Sequence, residues 1–389
     1  MKTAFLPRTV IVLGLVSFLN DTASEMITPL LPIFLTAALG AGPAVVGLVE
    51  GIAKATASLI KLVSGRMADK GWNHKGLVTG GYSVSNLARP LTGLALSWNL
   101  VLLFRFLDRV GKGLRTSPRD ALIAASTDSS RLGRAFGFHR ALDNAGAMLG
   151  PLCAWYLLRQ NIPMAHVFLW SLVPGVLVVC LLIFGLEATP AGKKQQKLPP
   201  LRWSVLDHRL RGLILAAGGL ALASAPEAFL VLWASDQDLQ IAWVPLIWAA
   251  ASAVKATVAG PAGSLSDRFG RLPVLLCGWT FRILVLLVLA WSCSGPHPML
   301  VWPLFLAYAA SLAATEGAER ALIGDFAARK ERATAFGLYH MVVGLSVLPG
   351  AVLFGAIWQI MGSASAFVFN AILSSMAVIL LQQQYRRRV

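Results

Sequence analysis

Twelve stretches of about 20 largely apolar residues follow one another along this chain, the length an α-helix needs to cross the hydrocarbon core of a bilayer. In hydrocarbon each backbone amide must be satisfied within its own segment or in a closed barrel, so runs of this length read as helices. They fall at roughly 9–36, 43–65, 76–97, 100–124, 133–157, 164–187, 209–233, 240–262, 272–293, 298–324, 332–357 and 362–382. The fold class that follows is an all-α membrane protein with twelve transmembrane helices. Of the 389 residues 56% are hydrophobic and 13% charged, about half the charged fraction of a soluble domain. The first run, after Lys2 and Arg8, resembles a signal peptide. Its apolar character resumes beyond Asp21 and Glu25 without a small-x-small cleavage site, so it reads as a retained first span.

Loop charge orients these spans. Lys2 and Arg8 precede span one, Arg66, Lys70 and Lys75 follow span two, and Arg131 and Arg134 follow span four. Lys193, Lys194, Lys197, Arg202, Arg209 and Arg211 follow span six, Arg268 and Arg271 span eight, Arg329, Lys330 and Arg332 span ten, and Arg386 to Arg388 end the chain. The alternate loops carry few, with Arg159 the exception. This positive-inside pattern puts both termini in the cytoplasm of a plasma (inner) membrane protein. It accounts for most of the net charge of +16 without a nucleic-acid partner. The polar, Pro-containing segment 189–208 reads as a cytoplasmic linker between residues 1–188 and 209–389.

The two parts repeat. Asp120-Ala121-Leu122-Ile123 is echoed by Arg320-Ala321-Leu322-Ile323, Ala135-Phe136-Gly137 by Ala335-Phe336-Gly337, and Gly65-x-x-x-Asp69-Lys70 by Gly263-x-x-x-Asp267-Arg268. The offsets are 200, 200 and 198 residues. Six helices repeated in one orientation imply two pseudo-symmetric six-helix bundles around a central cavity.

Ionisable residues at membrane depth are costly and face a protein interior or a wet cavity. Arg105, Asp108, Arg109 and Lys112 stand at i, i+3, i+4 and i+7 in span four, one stripe of a helix. Asp21 and Glu25 share a face of span one, Glu50 and Lys54 a face of span two, and Arg140 and Asp143 lie in span five. Two readings are open: a structural ion-pair network, or a proton and substrate site. On the second, Asp21, Glu25, Glu50 and Asp143 are the proton-coupling candidates, and His139 is a possible relay. Lys54, Arg105, Asp108, Arg109, Lys112 and Arg140 are the substrate-binding candidates, joined in the second half by Glu227, Glu316 and His340. Arg89 and Arg282 also sit inside spans, without an evident role. The four cysteines stand singly in apolar segments and read as buried hydrophobes; zinc-ligand spacing, a P-loop and a nucleophile–base constellation are missing.

Gly263-Ser264-Leu265-Ser266-Asp267-Arg268-Phe269-Gly270-Arg271 resembles the G-x-x-x-D-R-x-G-R loop of the major facilitator superfamily, and Gly65 to Gly71 resembles its first-half copy with a displaced Gly. Arg105-Phe106-Leu107 with Gly111-x-Gly113 is similar to the family's fourth-helix signature, with Arg109 in place of its first Gly. Gly146-x-x-x-Gly150-Pro151 resembles the start of its antiporter motif, without the final glycines. The resemblance implies that Gly65, Asp69, Gly263, Asp267, Arg268 and Arg271 form a cytoplasmic latch, with Arg115 and Arg119 as partners of the acids.

The expected function is secondary transport of a small organic solute by alternating access, not an enzymatic reaction. Carboxylates at mid-depth and the antiporter-like segment favour proton-coupled efflux of drug-like, amphipathic or anionic compounds. The many basic residues keep proton-coupled import of an organic anion, a metabolite or siderophore complex, as the alternative. The expected partners are the solute and the lipid bilayer. A proton gradient takes the place of a cofactor, no metal is required, and a monomer suffices.

Overall fold

The computed structural model describes residues 6–128, 131–186, 203, 206–326 and 332–386, and all regular structure among them is helical. Most of the expected linker, with Lys193, Lys194, Lys197 and Arg202, lies outside the described residues, as do Lys2, Arg329, Lys330, Arg387 and Arg388. The helices group into two compact units, Met1–Phe34 with Thr56–Leu198, and Leu35–Ala55 with Pro199–Val389.

The first unit holds α1 (Arg8–Ile27), α2 (Leu31–Ile33), α3 (Pro43–Asp69) from Thr56 onward, α4 (His74–Leu91), α5 (Trp98–Ala125), α6 (Leu132–Arg159), α7 (Met164–Trp170) and α8 (Leu172–Gly185). Here α1 packs mainly on α6 and α8, and α4 on α5 and α8. Val10, Leu13, Val16, Tyr82, Ile123, Ala135, Val178 and Leu182 form its buried core. Asn73 caps α4 by accepting from the Gly76 amide at 3.2 Å, which satisfies one of the unpaired N–H groups of the first turn.

The second unit holds the leading part of α3, then α9 (His208–Leu222), α10 (Glu227–Asp236), α11 (Val244–Phe269), α12 (Arg271–Ser292), α13 (Pro298–Phe326), α14 (Arg332–Met361) and α15 (Ser363–Arg386). Its packing repeats that of the first: α9 on α14 and α15, and α12 on α13 and α15. The leading part of α3 lies on α14, where a Cβ on Gly47 would strike the Ala351 carbonyl and one on Gly51 would strike Leu348. Small residues are what let two helix backbones approach this closely.

Nine helical stretches among the described residues are long and apolar enough to cross a membrane. Helices α4, α5 and α6 fall outside that set, although each occupies the position of an expected span. Two of them are dense in charge: α5 carries Arg105, Asp108, Arg109, Lys112, Arg115, Arg119 and Asp120, and α6 carries Arg134, Arg140, Asp143 and Arg159. Most of the buried ionic network of the first unit is built on them.

Candidate functional site

A polar stripe on α1 organises the first unit's interior. Ser17, Asn20, Asp21, Ser24 and Glu25 stand at i, i+3, i+4, i+7 and i+8, so they share one face. Ser17 Oγ donates to Asp143 Oδ1 of α6 at 2.7 Å, and Arg140 NH1 donates to Asp143 Oδ2 at 2.9 Å. Asn20 Nδ2 donates to Asp21 Oδ1 at 2.9 Å. The Asp21 and Asp143 carboxyls meet side chain to side chain, with Lys112 of α5 nearby.

The spacing of α1 and α6 at this point is set by glycine. A Cβ on Gly146 would strike the Phe18 carbonyl, and one on Gly150 would strike the Thr22 carbonyl. The antiporter-like Gly146-x-x-x-Gly150 segment therefore presses α6 onto the stretch of α1 that carries Asp21 and Glu25. Asp143 stands one turn earlier on α6, level with Ser17.

Behind this pair lies a second cluster centred on Asp108. It is 1% exposed, and its carboxylate meets Arg89 Nε at 2.8 Å, Arg109 Nε at 3.4 Å and Arg105 NH1 at 3.8 Å. Arg89 also donates to Asn20 Oδ1 at 2.9 Å and Asn86 Oδ1 at 3.2 Å. Asn20 thus touches both groups, Asp21 on one side and Arg89 on the other. Arg89, which has no evident role on sequence grounds, is the residue bonded most closely to Asp108. Arg115 donates to Ser85 Oγ at 2.8 Å and lies 4.3 Å over the Tyr82 ring. Three guanidinium groups thus gather at one carboxylate, and guanidinium groups are the usual partners of anionic groups. Lys112 is exposed on the same helix.

The other expected residues are distributed as follows. Glu50 and Lys54 lie on the part of α3 that belongs to the second unit. Gly65 packs beside Ser117 of α5, and Arg119 pairs with Asp120 at 2.9 Å; the side chain of Asp69 lies outside the described residues. His139 is buried on α6, and its Nε2 makes no hydrogen bond among the described residues. Pro151 stands inside α6 directly after Gly150.

In the second unit Asp267 pairs with Arg271, which reaches Asp325 at 3.2 Å and Ser266 Oγ at 3.0 Å. Arg268 lies 5.3 Å over Phe269, and Gly263 has open space around it. Gly270 adopts φ 95° and Gly71 adopts φ 86°, a conformation that favours glycine, so both loop copies turn on the same device. The seventh span breaks between α9 and α10 at Ala223–Pro226, and Glu227 opens α10 immediately after the break. Glu227 pairs with Lys255 of α11. In many transporters built from repeats, discontinuous helices form the solute and ion sites. Glu316 pairs with Arg320 at 2.5 Å, and the His340 ring lies 5.0 Å from that of Tyr339. Buried Arg282 makes no ion pair among the described residues. It donates to the Ser311 carbonyl at 2.9 Å and Thr315 Oγ1 at 2.6 Å, and stacks 4.0 Å from Trp279.

The 200-residue repeat extends to these contacts. Gly350 meets the Leu222 carbonyl of α9 as Gly150 meets that of Thr22. The positions of Asp21, Glu25 and Asp143 correspond to Ala221, Ala225 and Val343. The second unit keeps the helix crossing and lacks its carboxyls.

The model of the Major Facilitator Superfamily matches residues 13–260 and 238–387. An uncharacterised MFS-type transporter of Methanocaldococcus jannaschii is 32% identical over 383 residues, 97% of this chain and 94% of its own. The multidrug resistance protein MdtH of Aeromonas hydrophila is 28% identical over 195 residues, 49% of this chain and 46% of its own. The crystal structure of the nucleoside transporter NupG matches with a TM-score of 0.79 at 14% identity, over 97% of this chain and 99% of its own. At that identity the likeness is one of fold.

Proposed function

The chain belongs to the major facilitator superfamily and is a membrane transporter of small solutes; from that premise we propose that it exchanges them for protons, exporting drug-like or amphipathic compounds, anionic ones included. The observation that carries this reading is the meeting of Asp21 with Asp143. Two carboxyls brought together by a helix crossing load a proton as a pair and release it when they part. Ser17, Asn20 and Arg140 fix the geometry of the pair. Nearby Lys112 and the guanidinium groups around Asp108 attract an acidic group on the solute, which then competes with the proton for the same local field.

In this reading two bundles, 1–188 and 209–389, joined by the 189–208 linker, alternate access to a mid-membrane site of a monomer. The termini face the cytoplasm, and a proton gradient across the plasma membrane supplies the driving force with no cofactor. A second reading, proton-coupled import of an organic anion, is favoured by the three guanidinium groups gathered at Asp108.

The test is proton movement in proteoliposomes under an imposed pH gradient, with an internal pH dye and a panel of cationic drugs and organic anions. An added solute is expected to dissipate the gradient in the wild type and to fail in Asp21→Asn. An anion that equilibrates without moving protons in either protein removes the coupling role of α1 and leaves the basic cluster as the binding site. A gradient dissipated equally in wild type and Asp21→Asn has the same consequence for α1.

A further inference from the structure

We propose that Glu319, hydrogen-bonded by Tyr339, is a second proton-binding site, contained within the second unit. Four acids on the helices around it hold a cation: Glu227 has Lys255, Glu316 has Arg320, and Asp267 and Asp325 share Arg271. Glu319 differs. Among the described residues no basic nitrogen lies within ion-pair distance of it, and its contact is the Tyr339 hydroxyl, which donates to Oε1 at 2.8 Å.

The charged and titratable groups that face Glu319 are few. From α14 comes Tyr339, with His340 beside it; from α12 comes Arg282; along its own helix lie Arg320 and Glu316. Arg320 is taken by Glu316. Arg282 directs its donors to Ser311, Thr315 and Ser224. On α11, Lys255 and Asp267 are each held by another partner. Glu319 is half-buried while Tyr339 is 5% exposed. A carboxyl beside one neutral donor, with some access to water, exchanges a proton; a carboxylate paired to Arg stays ionised.

The repeat supplies a separate observation. Glu319, Arg320 and Tyr339 stand 200 residues after Arg119, Asp120 and His139. In the first unit that position is a fixed cation, Arg119, bonded to Asp120 at 2.9 Å. The second unit inverts the pair and puts the acid on the Tyr339 side. Where the first unit holds its carboxyl pair on α1 and α6, the second has alanine and valine, and its exchangeable carboxyl is on α13 instead.

This site extends the proton-coupled reading to the second unit, and the experiment separates the two. The full chain in lipid nanodiscs is titrated by infrared difference spectroscopy, following the C=O stretch of protonated carboxyls in wild type, Glu319→Gln, Tyr339→Phe and Asp21→Asn. Glu319→Gln is expected to lose one titrating band that Asp21→Asn retains. Tyr339→Phe is expected to keep that band and move it to higher frequency, because the carbonyl loses its donor. No band lost in Glu319→Gln overturns the assignment. So does an unchanged band in Tyr339→Phe, a variant that remains informative if Glu319→Gln does not fold. Failure of the α1 reading shows elsewhere, as solute-driven proton movement that persists in Asp21→Asn.

Discussion

Ser17 of α1 donates its hydroxyl to Asp143 of α6 at 2.7 Å, at the crossing where Gly146 and Gly150 bring the two backbones together. Ser17→Ala removes the donor and leaves the crossing intact. Solute-driven proton flux is expected to fall several-fold, with the thermal midpoint within a few degrees of wild type. Ser17→Thr, which keeps the hydroxyl, restores the flux. Flux in proteoliposomes alongside a thermal melt in detergent checks both.

The Gly150 and Gly350 crossings offer a matched pair. A Cβ at either position meets a backbone carbonyl on the facing helix, which cannot move aside as a side chain can. Gly150→Ala and Gly350→Ala are each expected to destabilise the protein by about 1–3 kcal/mol. The pH profile of transport is expected to change in Gly150→Ala alone, since the first crossing carries the carboxyl pair. Melts and transport rates across a pH series distinguish the two.

Asp108 and Arg89 are 2% and 4% exposed at the side chain, so their ion pair is fully removed from water. Asp108→Asn takes from buried Arg89 the carboxylate it pairs with. The expected cost is about 3–5 kcal/mol, the scale of breaking a buried pair by losing one partner. Arg89→Lys keeps the charge and gives up the contacts to Asn20 and Asn86, so a smaller loss is expected. Thermal unfolding should rank the proteins wild type, Arg89→Lys, Asp108→Asn.

Lys255 and Glu227 meet beside the break in the seventh span, both partly exposed. Glu227→Gln and Lys255→Met are each expected to reduce transport, and the double variant is expected to be more stable than either single one. The coupling energy is expected at about 1 kcal/mol, since solvent screens the pair. A double-mutant cycle on melting temperature measures it. A zero or negative coupling would sink the claim that the two charges hold the break together.

Hydropathy made the spans and the repeat legible, because membrane helices need long apolar runs and the second bundle reuses the pattern of the first. It was least informative for α4, α5 and α6, the part of the molecule with the densest buried charge. Spacing along span four marked Arg105, Asp108 and Arg109 as one face, and they do converge. Arg89 was seen as an arginine inside a span, but its place beside Asp108 depends on how α4 packs on α5, which no single-helix pattern encodes. Ser17, Asn20 and Ser24 were within reach: read with Asp21 and Glu25, they complete a polar stripe at helical spacing. Small neutral residues were passed over in favour of the charges they position. Glu319 stands at helical spacing from Glu316 and Arg320, and its separate environment comes from Tyr339 across the interface with α14.

The leading part of α3 belongs with helices made much later. Gly47 and Gly51 settle on α14 at Leu348 and Ala351, so the second unit is discontinuous along the chain. During synthesis this small-residue face enters the bilayer long before its receptor exists, and it must wait there against lipid. Chain order therefore imposes an assembly order in which the last unit to close begins with one of the first segments inserted. A chain ending before α14 would leave that early helix without the partner its glycines fit.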